Sequence, residues 1–204
     1  LCDLSRDDPV TALITGAGQR LGRAIALYLA GRGQDVAIHF HHSADGAEAT
    51  AAEARAMGVR AEAFHADLLD LDQTETLIGR VAAVLGPLTL LVNNASIFEY
   101  DNLDSATRQS WDRHIGSNLR APFLLTQAFA RQAPKADHGT DEPRARALVI
   151  NMIDQRVLKP TPEFMTYSIA KAGLWWLTRS AAQALAPDIR VNAIGPGPTL
   201  QGIR

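Results

Sequence analysis

Cysteine is almost missing from this sequence: Cys2 is the only one among 204 residues. One thiol forms no internal disulfide and builds no structural zinc site, which agrees with a reducing compartment. Net charge is nearly missing too, at −2 with histidine neutral, so there is no basic surplus to bind nucleic acid. No uncharged apolar run approaches the roughly 18 residues of a membrane span. The opening LCDLSRDDPV lacks a basic end followed by an apolar core, so no secretory signal is read there. Neither Gly, at 15, nor Pro, at 10, is in excess, which excludes collagenous and low-complexity chains. What is present in quantity is apolar sequence, 47% of the chain, enough for one substantial core. The expectation is a cytoplasmic protein that binds neither membrane nor nucleic acid.

Apolar periodicity alternates along the chain. VTALIT at 10–15 is a short strand that stops at Gly16, and a helical stripe from Leu21 ends near Gly31 and Gly33. The run DVAIHF is a second strand, followed by an Ala-rich helix over about 46–57. VRAEAFHAD alternates and ends at Asp67; a helix over about 72–85 then closes at Gly86-Pro87. LTLLVNNAS, apolar on both faces, suits the centre of a parallel sheet. A long helix is expected over 105–132 with a kink at Pro122, then a polar loop, a buried strand ALVINMI, a helix from Tyr167 to Ala186 and a last strand IRVNAIGPG. Strand and helix alternate without internal repeats. The predicted fold is α/β, a Rossmann-type doubly wound parallel sheet in three α/β/α layers.

Three motifs carry chemistry. The first strand-to-helix turn reads Thr15-Gly16-Ala17-Gly18-Gln19-Arg20-Leu21-Gly22. Glycines there let backbone approach a pyrophosphate, and the following helix aims free N–H groups at it. The strict G-x-G-x-x-G pattern fails, because Leu21 stands where the third glycine belongs. At the end of the second strand, where NAD-preferring folds offer a carboxylate to the ribose diol, the chain has His41, His42 and Ser43. These can hydrogen-bond a 2′-phosphate, which favours NADP; they also suit a plain solvated turn, and Asp45 is close by. Finally, Tyr167 and Lys171 share one helical face. A cation beside a phenol favours phenolate, so the pair is a proton donor suited to a reduction.

The glycine turn, Asn93-Asn94-Ala95-Ser96, Tyr167-x-x-x-Lys171 and Pro196-Gly197 together resemble the short-chain dehydrogenase/reductase family, in its order and spacing from about Val10 to Thr199. The resemblance implies a nicotinamide cofactor and a homotetramer or homodimer. It implies Tyr167 as general acid and Lys171 as the ligand of the nicotinamide ribose that lowers the tyrosine pKa. Asn118 is implied to help position a water for the lysine relay. Cofactor contacts are implied for Gly16, Leu21, Gly22, Asp67 and Leu68, for Asn94 and Ala95 along the adenine ribose, and for Pro196, Gly197 and Thr199 at the nicotinamide end. Family members are usually longer, so residues 1–204 read as a single dinucleotide-binding catalytic domain whose C-terminal lid and last strand lie beyond Arg204.

The departures from the family pattern narrow the reading. Thirteen residues before Tyr167, where a serine is usual, stands Asp154. An ionised carboxylate only accepts hydrogen bonds and repels a forming alkoxide; beside a C=N bond that needs a proton on nitrogen, it makes chemical sense. Arg20 and Ser96 replace two expected glycines, and Phe98 follows Ser96 by two. With His41, His42 and Ser43, these residues look like the pteridine reductase branch. That likeness implies NADPH-dependent reduction of a pterin, with Phe98 stacking on the ring and Arg20, Ser96, Asp154 and Tyr167 contacting substrate. Arg20, Ser96, His41, His42 and Ser43 would also touch cofactor. The alternatives are a reductase of ketones or 3-oxoacyl thioesters, and a non-catalytic NADP(H)-binding sensor. Trp175 and Trp176 read as core or subunit-interface residues, and no metal is expected.

Overall fold

The structure is a computed structural model that describes residues 10–139 and 141–197. Cys2, Thr199 and any lid beyond it lie outside the described residues. The strands are β1 (Thr11–Ile14), β2 (Asp35–Phe40), β3 (Ala61–His65), β4 (Leu90–Asn93), β5 (Ala147–Met152) and β6 (Ile189–Ile194). The helices are α1 (Arg20–Ala30), α2 (Ala44–Ala56), α3 (Leu71–Leu85), α4 (Arg108–Ile115), α5 (Ala121–Gln132) and α6 (Met165–Leu185). Each falls within a few residues of the expectation from periodicity.

All five strand pairings are parallel and the sheet order is β3-β2-β1-β4-β5-β6. This is the Rossmann-type fold. Strand β1 shows how the layers arise. Leu13 joins Leu77, Leu91, Leu125 and Phe129 in the core beneath α3 and α5, whereas its neighbours Ala12 and Ile14 join Ala26, Leu29, Val36 and Ala51 beneath α1 and α2. Alternate residues of a strand point to opposite faces, so a strand covered on both sides must be apolar throughout. Each fully buried large aliphatic side chain in these cores contributes roughly 1.5–3 kcal/mol.

The long helix expected over 105–132 is interrupted. It is α4, then a π-turn at Gly116–Arg120, then α5, with Pro122 in the first turn of α5. Proline has no N–H to donate backwards, so the ladder loosens just ahead of it. The irregular turn carries Asn118. In a doubly wound sheet, ligands sit beyond the carboxyl ends of the strands where the winding reverses, here between β1 and β4. Gly16, His41, Asp67, Asn94, Asp154 and Pro196 each lie just past a strand end.

Candidate active site

A cleft of about 1000 Å³ opens at that edge of the sheet. Its lining includes Gly16, Arg20, Leu21, Gly22, His41, His42, Ser43, Asp67, Leu68, Asn94, Ala95, Ser96, Phe98, Asp154, Tyr167, Lys171, Pro196 and Gly197, together with residues that carried no motif, such as Arg113, Ser117, Ile153 and Arg156. Sequence reasoning had singled out all of these but the last group. Asn118 does not line it, and Thr199 is outside the described residues. Asp45 is exposed and is not part of the lining.

The glycine turn is held by side chains from other strands. His39 Nδ1 accepts the Gly16 N–H at 3.0 Å while its Nε2 sits 3.1 Å from the Ala66 carbonyl. Burial pushes the His39 pKa down to about 4, so the ring stays neutral and keeps the lone pair that Gly16 needs. Asn94 Nδ2 donates to the Thr15 carbonyl at 2.8 Å, and Thr15 Oγ1 accepts the N–H groups of Asn94 and Ala95 at 2.9 Å each. Gly16 has φ +64, and a Cβ on Gly22 would stand 2.3 Å from the Gly16 carbonyl oxygen. Arg20, which replaces an expected glycine, adopts φ 50, a conformation glycine reaches without strain. The N-cap of α1, Gln19, makes no side-chain capping bond, so the helix presents bare N–H groups to the cleft. Close backbone approach and a bare helix N-terminus fit a pyrophosphate. The His41 and His42 rings lie with centroids 3.6 Å apart and planes tilted by 34°, with His41 Nε2 3.8 Å from Asp67 Oδ2. This end therefore fits an adenine dinucleotide.

At the other end Tyr167, buried, donates its hydroxyl to Asp154 Oδ2 at 3.0 Å. Burial first, then the Asp154 charge and that hydrogen bond, push the phenol pKa up rather than down. The carboxylate and burial outweigh the lowering expected of Lys171, and the phenol keeps its proton. Lys171 Nζ donates to the Met152 carbonyl at 2.7 Å and lies 5.7 Å from the Tyr167 ring centroid. Burial lowers its pKa to about 8. Asn118 stands beside the cleft, with its side chain turned to the backbone of Ile97. Its Oδ1 accepts the Ile97 N–H at 2.9 Å and its Nδ2 donates to the Ile97 carbonyl at 2.8 Å, so it holds the loop between Ser96 and Phe98.

Several contributors carried no sequence signal. Arg156 and Phe164 reach the substrate end from a segment with no recognisable motif. A buried chain also runs from His114 Nδ1 to Thr166 Oγ1 at 2.6 Å, and from that hydroxyl to Asp101 Oδ2. Asp101 Oδ1 accepts the Thr166 N–H at 3.1 Å, capping α6 from the loop after β4 because its own N-cap, Phe164, has no acceptor. The residue after Thr166 is Tyr167, so this cap fixes where the phenol begins its reach. A lone histidine in an apolar strand was the available signal for His39, but its partner Gly16 is 23 residues away. Of the tryptophans, Trp176 is 68% exposed and so is not a core residue of this chain, while Trp175 is half-buried.

A description of the short chain dehydrogenase family matches residues 10–204. Among solved structures, the chain is similar to FolM alternative dihydrofolate reductase 1 from Brucella suis in complex with NADP. The identity is 41% and the TM-score 0.85, over 94% of this chain and 76% of that one. It is also similar to a short chain dehydrogenase from Burkholderia cenocepacia in complex with NADP, at 34% identity and a TM-score of 0.84, over 92% and 74% of the two chains. Among curated proteins, the 3-oxoacyl-(acyl-carrier-protein) reductase FabG of Staphylococcus aureus is 36% identical over 188 residues, 92% of this chain and 73% of that protein.

Proposed function

The chain belongs to the short chain dehydrogenase family, and we propose that it is an NADPH-dependent reductase of a dihydropterin. The observation that carries this reading is the hydrogen bond from Tyr167 to Asp154 at 3.0 Å. A carboxylate there repels the oxyanion a ketone would become, yet it steadies a phenol that must hand a proton to a ring nitrogen. Solved relatives bound to NADP, one of them an alternative dihydrofolate reductase, support the cofactor and the substrate class.

When bound, NADPH supplies the hydride, which adds to the electrophilic carbon of a C=N bond. The glycine turn and the N-terminus of α1 would hold its pyrophosphate, His41, His42 and Ser43 its 2′-phosphate, and Lys171, Pro196 and Gly197 its nicotinamide half. Tyr167 gives one proton to the ring nitrogen, so one hydride and one proton convert C=N to CH–NH. Its phenolate then recovers a proton from solvent by way of Lys171. Phe98 would stack on the flat ring, and Arg20 and Ser96 would fix its polar edge. We place this enzyme in the cytoplasm and assign it a homotetramer. The half-exposed Trp111, Phe123 and Ile169 support an assembly surface, and light scattering of the purified protein measures the assembly.

NADPH oxidation with dihydrobiopterin, dihydromonapterin and dihydrofolate tests the reading. Turnover is expected with at least one; background rates with all of them alongside turnover of small ketones overturn it. A ketone or 3-oxoacyl reductase is the second reading, favoured by the similarity to the Staphylococcus aureus enzyme. Asp154→Ser separates the two, because it should cripple pterin reduction and improve ketone reduction. A sensor without catalysis would bind NADPH and turn over neither.

A further inference from the structure

Arg156 belongs to no motif, yet its side chain lines the cleft and stands beside Phe98 and Asp154, two of the groups assigned to the substrate. It lies in the 3₁₀ turn Gln155–Val157 that follows β5, and its backbone N–H donates to Asp154 Oδ1 at 2.9 Å. Its guanidinium carbon lies 5.6 Å from the Phe98 ring centroid and 5.0 Å from that of Phe164. One terminal nitrogen stands 3.6 Å from Asp154 Oδ1, close enough for an ion pair but too far for a hydrogen bond. The Nε is buried without a partner, and among the described residues the guanidinium makes no hydrogen bond. A group with five donors is thus placed at the rim of the cleft, 21% exposed, with its fork unmatched.

The rings around it define where a ligand fits. Phe98 and Phe164 are stacked, with centroids 4.3 Å apart and planes 9° apart, and the Phe98 and Tyr167 rings meet in a T-shaped arrangement with centroids 4.7 Å apart. One face of Phe98 is therefore covered. The ring is still 53% exposed and lines the cleft, so it keeps surface on which a flat heterocycle can rest. The same stack holds Phe98 against Tyr167. A ring laid there brings its reacting edge to Tyr167 and Asp154, and a substituent on that side passes Arg156.

We propose that Arg156 is a specificity-determining residue that binds an anionic substituent, of carboxylate type, carried by the flat ring stacked on Phe98. A planar guanidinium fork matches a carboxylate bidentately, and Arg156 has that fork available. Its charge also offsets Asp154, so an anionic substrate entering this end is not met by an uncompensated carboxylate. The inference rests on the proposed pterin reading, because it assigns the substituent to a pterin-like ring.

The test compares dihydrofolate, whose tail ends in carboxylates, with dihydrobiopterin, whose tail is neutral, using NADPH and the full chain. In Arg156→Met the KM for dihydrofolate should rise about tenfold or more, the value of one lost charge-assisted contact. The KM for dihydrobiopterin should rise several-fold less, so that the ratio of the two KM values shifts about tenfold. Arg156→Lys, which keeps the charge and loses the fork, should fall between the two. NADPH affinity, from quenching of intrinsic fluorescence, and the melting temperature should stay at wild-type values. Equal rises for both pterins would overturn the proposal, since Arg156 would then act only by holding Asp154. No change for either would overturn it as well. If the wild-type enzyme reduces neither pterin, the functional reading fails by itself. Arg156 is then judged by the same ratio on a pair of ketone substrates with and without a carboxylate, where loss of the discrimination in Arg156→Met supports it and an unchanged ratio overturns it.

Discussion

At the cofactor end of the cleft, polar side chains are committed to the protein's own backbone; at the substrate end they are committed to one another. His39 holds the Gly16 N–H, Asn94 holds the Thr15 carbonyl, and Thr15 holds the N–H groups of Asn94 and Ala95. These bonds tie β1, β2 and β4 into one rigid cradle. Tyr167, by contrast, bonds to Asp154, and Arg156 lies beside Asp154 with its guanidinium unmatched. A pyrophosphate is read by backbone, so its site requires fixed main chain. A substrate is read by side chains, so its site requires groups that still have bonding capacity. Even so, the backbone of the substrate end is anchored, by Asn118 on Ile97 and by Asp101 on the start of α6.

The contrast makes three further predictions, the largest at the substrate end. Tyr167→Phe removes the proposed proton donor and should lower kcat between about 100- and 10,000-fold, while NADPH still binds. A matching loss of NADPH affinity would show that the two ends are not separable.

Acidification should break the cofactor end first. The His39 pKa is lowered from 6.5 to about 4, so the folded protein binds fewer protons than the unfolded chain between those values. Its contribution is whole above about pH 6.5 and is lost as pH falls toward 4; below both values the loss is about 3 kcal/mol. His114 is shifted the same way by burial. Urea melts at pH 7 and pH 4.5 measure the combined loss, and His39→Gln should remove part of the difference. An identical pH dependence in that variant would show that His39 does not brace the turn through a neutral ring.

The smallest expected effect is Gly22→Ala. Its Cβ would press on the Gly16 carbonyl oxygen at 2.3 Å and on Asn94 Nδ2 at 2.6 Å. Overpacking of this kind costs about 1–3 kcal/mol, and displacement of the cradle should weaken NADPH binding about tenfold. An unchanged dissociation constant would mean that the turn has slack that the hydrogen bonds do not suggest.

Much of this was legible before the structure. The Rossmann-type order follows from apolar runs that alternate with helical stripes, because a strand buried on both faces cannot hide its composition. The cradle glycines were legible because only glycine fits where backbone meets backbone. Asp154 was legible only through the family resemblance, as the residue standing where a serine is usual thirteen positions before Tyr167. The break before Pro122 was anticipated only as a kink, because a π-turn leaves no compositional mark of its own.

By itself, then, the sequence determined which strands form the sheet, where the dinucleotide turn lies and which tyrosine and lysine face together, since each of these depends on neighbours within a few residues. The tertiary structure alone decided the electrostatics: that burial and Asp154 raise the Tyr167 pKa, that burial keeps His39 neutral, and that Arg156 stands between Asp154 and Phe98. Solvent exclusion and charge proximity depend on which segments converge in space, and residues 58 apart in sequence, such as Phe98 and Arg156, meet only once the sheet has brought β4 beside β5.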